Sequence, residues 1–169
     1  MMQARLLICT LVVAIWAISP TAAQTPKKVK VIKDWAAYSY SGKKGKICYV
    51  VSQPKTKSPA DRDHGDVFFF ITHRPGEGVR NEASVVVGYP FASKSKVTIN
   101  IDGQGFSLFT QGDGAWVENA AQEKALVDAM RKGRQMQISG QSSRGTTTKY
   151  SYSLSGITAA LNTIGSSCP

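Results

Sequence analysis

The chain has 169 residues, 42% of them hydrophobic, with 21 Lys+Arg against 11 Asp+Glu and a formal net charge of +10. That much apolar material can offset chain entropy, which excludes an intrinsically disordered chain. The composition also excludes collagen-like and low-complexity classes, and the length is that of one ordinary domain. Residues 1–23 read as a secretory signal: Arg5 is the only charge, Leu6 to Ile18 is apolar, Pro20 breaks the run, and Thr21-Ala22-Ala23 places small residues before a cut. The apolar run of 13 residues is short for a bilayer span. Cleavage after Ala23 and export are therefore expected, with no transmembrane span after signal cleavage. From Gln24 onward the chain keeps 20 basic residues against all 11 acids, because Arg5 alone is removed, for a net +9.

Residues 24–33 form a basic N-terminal segment in which Lys and Val alternate, suiting an edge strand with one dry face. Residues 34–169 are expected to form a single domain. Trp35 to Tyr40 and Ile47 to Ser52 read as strands around a Gly-Lys turn, and Gln53 to Asp66 as a polar loop with two prolines. The continuous apolar run Val67 to Ile71 predicts a central strand buried on both faces. Ala83 to Gly88 predicts another strand. Val97, Ile99 and Ile101 alternate with polar residues, and Asp102-Gly103-Gln104-Gly105 turns that strand into Phe106–Thr110 as a hairpin. A Gly112-Asp113-Gly114 turn leads into Ala115-Trp116-Val117.

One helix is predicted after Asn119, which can cap it with Gln122 as the reciprocal partner. Ala125, Leu126, Ala129 and Met130 make its apolar stripe, Arg131 and Lys132 favour the dipole at its end, and Gly133 stops it. Strands around Met136 and Ile138 and around Tyr150, Tyr152 and Leu154 follow, then a short helix from Ile157 to Ile164. About nine strands, mostly following strands, argue against parallel winding. An antiparallel immunoglobulin-like β-sandwich with one medium helix and a short C-terminal helix is the expected fold, a closed barrel the alternative. Trp35, Tyr38, Tyr40, Tyr49 and Trp116 are expected in its core.

Removal of Cys9 leaves Cys48 and Cys168, an even pair that favours a disulfide in an exported chain. Asp61-Arg62-Asp63-His64-Gly65-Asp66 is the one dense carboxylate cluster, but it lacks the spacing and the bidentate Glu of a calcium loop and reads as a solvated loop. His64 and His73 are the only histidines, and no GxSxG, HExxH or Walker loop occurs. No catalytic residue, metal or cofactor is assigned. A hydrolase or metal-dependent enzyme is the alternative, since a triad can assemble in space.

Charge is the most distinctive feature. Lys27, Lys28, Lys30, Lys33, Lys43, Lys44, Lys46, Lys55 and Lys57 face one acid, Asp34, in that stretch. Such a patch attracts polyanions, and lysine in excess over arginine suits diffuse attraction more than bidentate phosphate readout. For an exported chain the expected partner is an anionic envelope surface, lipid headgroup or acidic glycan, not nucleic acid. A protein docking on a strand edge is a further possibility. The alternative is a lysine-rich face that only blunts an edge strand, in a purely structural envelope or stress protein.

A set of segments in order along the chain carries a resemblance. They include Trp35-Ala36-Ala37-Tyr38, Ile47-Cys48-Tyr49-Val50-Val51-Ser52-Gln53-Pro54-Lys55, Phe69-Phe70-Ile71-Thr72-His73-Arg74-Pro75, Val79-Arg80-Asn81-Glu82 and Val87-Gly88-Tyr89-Pro90-Phe91. Thr110 to Trp116, Ser143-Arg144-Gly145-Thr146 and Tyr152-Ser153-Leu154-Ser155-Gly156 complete it. Together they resemble the invasion-associated locus B family of exported bacterial proteins over nearly all of residues 34–168. The resemblance implies a Gram-negative exported protein, periplasmic or outer-membrane-associated, with an immunoglobulin-like β-sandwich. It implies a link to host-cell entry and no catalytic residues.

Overall fold

Alternation of apolar and polar side chains sets most of the chain as strands, because successive strand residues point to opposite faces. The computed structural model describes residues 25–169; the expected signal, with Cys9, lies outside the described residues. The strands are β1 (Lys27–Ile32), β2 (Trp35–Gly42), β3 (Gly45–Ser52), β4 (Thr56–Ser58), β5 (Phe68–Arg74), β6 (Val79–Val86), β7 (Lys96–Ile101), β8 (Gln104–Gln111), β9 (Gly114–Val117), β10 (Gln135–Gln141) and β11 (Thr147–Ser153). The helices are α1 (Ala120–Lys132), between β9 and β10, and α2 (Ile157–Ser167) after β11.

The strands form one hydrogen-bonded sheet in the order β1-β2-β3-β5-β6-β9-β8-β7-β10-β11-β4, and every pairing is antiparallel. The sheet bends back on itself, so its two halves meet face to face. Phe69 of β5 packs on Tyr152 of β11 with ring centroids 6.1 Å apart. The Trp35 indole stands edge-on to Phe69, and its Nε1–H donates to the Ser153 carbonyl at 3.1 Å. Trp35, Phe69, Ile71, Leu108, Met136 and Tyr152 are among the side chains that fill the space between the halves. This is the expected antiparallel sandwich, with its layers joined by the β6–β9 ladder. The basic N-terminal segment is the edge strand β1, paired along β2, but it lacks the expected dry face, because no second layer among the described residues covers Val29 and Val31 and both stand exposed.

Helix α1 has the Asn119 half of the expected cap: the Gln122 N–H donates to the Asn119 side chain at 3.0 Å, while the Gln122 side chain makes no return bond among the described residues. Its buried stripe holds Val127 in place of Ala125, which is exposed. Gly133 ends the helix in extended conformation, not the left-handed one; a Cβ there would collide with Ile101. Helix α2 buries Ile157, Ala160, Leu161 and Ile164 and carries Cys168 to disulfide distance of Cys48 on β3, with Cα atoms 6.0 Å apart.

The structure revises three expectations about aromatic rings. Phe69 and Ile71 point inward, but Phe68 and Phe70 alternate with them and are only half-buried, so the run is not dry on both faces. Trp35 is in the core, whereas Tyr38, Tyr40 and Tyr49 lie on the outer face. Trp116 is half-buried on the outside and packs on Phe109. The polar loop after β3 contains β4, which pairs with β11.

Candidate functional site

Three loops meet at one end of the sandwich and leave a cleft of about 560 Å³, lined by Arg62, His64, Tyr89, Ser142, Arg144 and Thr148 among others. Far from being a solvated residue of an acidic loop, His64 is buried, and both its ring nitrogens are engaged. Nε2 lies 2.8 Å from the Pro59 carbonyl, which can only accept, so Nε2 carries the hydrogen and Nδ1 accepts from the Tyr150 hydroxyl at 2.8 Å. Tyr150 lies 2.8 Å from the Tyr89 hydroxyl, and Tyr89 lies 2.6 Å from Thr148 Oγ. Burial, and then the Tyr89 hydroxyl, push the Tyr150 pKa well above the ordinary tyrosine value. His64, Tyr150, Tyr89 and Thr148 thus form one continuous hydrogen-bonded chain. The loop of His64 is clamped from outside by Gly88, whose N–H donates to the His64 carbonyl at 3.0 Å. A Cβ on Gly88 would stand 2.6 Å from Gly65 Cα, so the two backbones touch.

The neighbouring carboxylates serve the loop itself. Asp63 accepts from the Gly65 N–H at 2.8 Å, and Lys57 donates to the Gly65 carbonyl at 2.8 Å. His73 is buried on the inner face of β5, directly across the ladder from Cys48. Its Nε2–H donates to Asn81 Oδ1 at 3.1 Å, while Nδ1 has no partner among the described residues. Desolvation lowers the His73 pKa, opposed by the Asn81 bond and assisted by the charges of Arg80 and Arg131. Neither histidine is hydrogen-bonded to a carboxylate among the described residues. No group of three or more His, Cys, Asp or Glu among them is placed to hold a metal ion.

The nine lysines do not share one face. Lys27, Lys28 and Lys30 lie along the edge strand β1, and Lys43, Lys44 and Lys46 lie at the β2–β3 hairpin. The register sets the Lys27 end of β1 nearest the hairpin, since Lys27 is opposite Ser39 and the hairpin closes three residues beyond it at Gly42 and Gly45. The three hairpin lysines line a depression of about 200 Å³ with Arg74 and Glu77. Arg74 is spent within the protein: it grips Glu82 with two bonds of 2.8 and 2.7 Å and reaches Glu77 at 3.3 Å. Its pKa is raised, first by the Glu82 bond. Lys33, Lys55 and Lys57 lie elsewhere. Lys55 pairs with Asp34 and holds the Asp34 carboxyl below the usual range, while Lys57 is tied to Gly65 as above. Six of the nine predicted lysines therefore lie on the β1 edge and the adjoining hairpin, and none of the six makes an ion pair among the described residues.

The cleft was not legible in the sequence, because its walls come from residues 61–65, 88–90 and 142–148. The one available signal was the placement of Gly65 and Gly88, which permits the backbones to touch.

Fold and site together define an antiparallel β-sandwich domain with a basic edge and a polar cleft. The model of the invasion associated locus B (IalB) protein family matches residues 35–165, and the chain belongs to that family. It also resembles the crystal structure of invasion associated protein B from Bartonella henselae, with a TM-score of 0.56 and 13% identity over 86% of this chain and 97% of that one. At that identity the likeness speaks to the fold. No curated protein matches the chain.

Proposed function

We propose that this is a non-enzymatic exported protein of the bacterial envelope that adheres to an anionic surface through Lys27, Lys28, Lys30, Lys43, Lys44 and Lys46. The observation that carries the reading is the placement of these six exposed side chains, unpaired among the described residues, along one sheet edge and its adjoining hairpin. Lys33, Lys55 and Lys57 belong to the same basic stretch and add to the long-range field, though two of them are tied within the protein. A net charge of +9 from Gln24 onward makes the encounter favourable at a distance. The name of the Bartonella protein points to invasion, and host-cell contact is the use this reading suggests for the surface.

The test is binding of the exported protein to anionic vesicles or lipopolysaccharide at low and at physiological salt. Screening predicts steep loss of affinity as ionic strength rises, and replacement of the six lysines by glutamine should remove the low-salt binding. Binding unaffected by those replacements would refute the proposal.

A further inference from the structure

An antiparallel sheet ordinarily buries one face and wets the other. Here the outer face of β1, β2, β3 and β5 is apolar. The pairing register places Val31, Ala36, Val51 and Phe70 side by side across these four strands. The same row continues through Ser84 of β6 to Trp116 and Phe109. Beside it Tyr38 stacks on Tyr49 with ring centroids 5.3 Å apart, Tyr49 meets Phe70 edge-on at 5.8 Å, and Phe70 meets Phe68 at 5.9 Å. Val31 is 58% exposed and Phe109 43%. Val31, Ala36, Tyr38, Val51 and Phe68 line a depression of about 250 Å³. Both helices turn their buried side chains to the core: α2 leads to Cys48, which faces inward, and Leu126, Val127 and Met130 of α1 join the same core cluster.

Lysines rim this face. Lys28 Nζ sits 5.8 Å from the Tyr38 ring centroid, Lys33 stands at the mouth of the depression, the hairpin lysines lie at the opposite end, and Lys96 closes the row beside Phe109. The acids nearest the face, Asp34 and Glu82, are paired with Lys55 and Arg74.

We propose that this aromatic face is a docking surface for an anionic lipid bilayer, with the rings entering the headgroup zone while the lysines meet lipid phosphates. The inference rests on the charge-based reading above and names its partner. Tyrosine, tryptophan and phenylalanine with flanking lysine is the composition that partitions to the membrane interface. Charge selects the bilayer over a second copy of this chain, because packing two such faces together would set a lysine rim and a net +9 against its like.

The experiment uses exported protein and vesicles of phosphatidylglycerol and phosphatidylcholine in a ratio of roughly one to two. The variant Phe70→Trp/Trp116→Phe places one surface indole at the centre of the face, with Trp35 shielded in the core. Bromine on the lipid acyl chains is expected to quench it, and a part of the binding is expected to survive physiological salt. Val31→Ser, at an exposed site that leaves folding intact, and Val31→Ser/Phe68→Ser should weaken that salt-resistant binding, the pair by about tenfold, with unchanged charge and low-salt attraction. An unquenched indole with binding wholly reversed by salt would overturn the docking face and leave the electrostatic proposal standing. No binding at low salt would overturn both. A stable dimer in sedimentation that protects the indole from aqueous quencher would assign the face to a second copy instead.

Discussion

Replacing Cys48 and Cys168 together by alanine gives the sharpest test of how this fold is held. The two residues are 120 positions apart, so a crosslink between them removes much of the freedom of the unfolded chain. The loop-closure argument gives about 5 kcal/mol for that length, a third or more of the roughly 5–15 kcal/mol that stabilises a typical domain. The structure adds a local reason for a large effect, since α2 ends at Cys168 and rests on the core through only four buried side chains, Ile157, Ala160, Leu161 and Ile164. With a urea slope of about 2 kcal/mol per molar, the midpoint should fall by about 2.5 M. The melting temperature should drop by about 10–20 °C. Urea titration followed by circular dichroism checks the first figure, and reduced wild-type protein should behave like the double variant. Peptide mapping without reductant should recover the Cys48 and Cys168 peptides as one linked species. Free thiols in exported protein, or a loss below about 1 kcal/mol, would refute the reasoning.

Two tyrosines on β11 should respond oppositely to loss of the hydroxyl. Tyr150→Phe strands His64 Nδ1 and should cost about 1–3 kcal/mol in urea titration, whereas the buried Tyr152 hydroxyl has no partner among the described residues and Tyr152→Phe should be neutral or slightly stabilising. Gly88→Ala should destabilise by about 2–3 kcal/mol, because the Cβ meets the backbone of the His64–Gly65 loop and no side chain can yield. Burial keeps the folded-state pKa of His73 below its ordinary value, so the unfolded chain takes up that proton first. Its contribution is complete above about pH 6.5 and declines as the pH falls below that. His73→Gln should flatten this part of the stability–pH curve, and an unchanged slope would assign it to another group.

Helix α1 could be read from local chemistry, because its cap and its charged last turn act within a few residues. The Asn119 side chain caps the helix, though without the reciprocal Gln122 bond, and Gly133 is needed for a reason no local pattern contains, the approach of Ile101 from a strand some thirty residues earlier. Strand faces were legible by parity where parity was applied. Trp35 and Tyr38 are three apart and cannot share a face of one strand; with Trp35 inside, Tyr38 and Tyr40 must lie outside, as they do. The aromatic content of β2 and β3 masks this, since large rings usually mark a core. Strand β4 left no signal, because Thr56-Lys57-Ser58 has no apolar residue and its pairing comes from β11, almost a hundred residues away. The lysine cluster was half legible. Sequence proximity groups nine lysines, but only the fold shows that the hairpin returns three of them to the β1 edge while Asp34 and Gly65 occupy two others.

Core and surface divide the apolar residues of this chain in a way that makes function separable from folding. The inner faces of the sheet, α2 and the Cys48–Cys168 contact hold the sandwich without help from Val31 or Lys28, which stand exposed on the edge strand. Exposed positions of that kind change stability by less than about 0.5 kcal/mol when substituted, so any large change in surface binding at these sites reports on binding alone. Core packing gives no reason for an apolar Val31, in register with Val51 and Phe70, at an exposed edge. Contact with an interface that is apolar inside and anionic at its boundary gives such a reason, and it also accounts for lysines placed around the aromatic rings, where each group meets the layer that suits it.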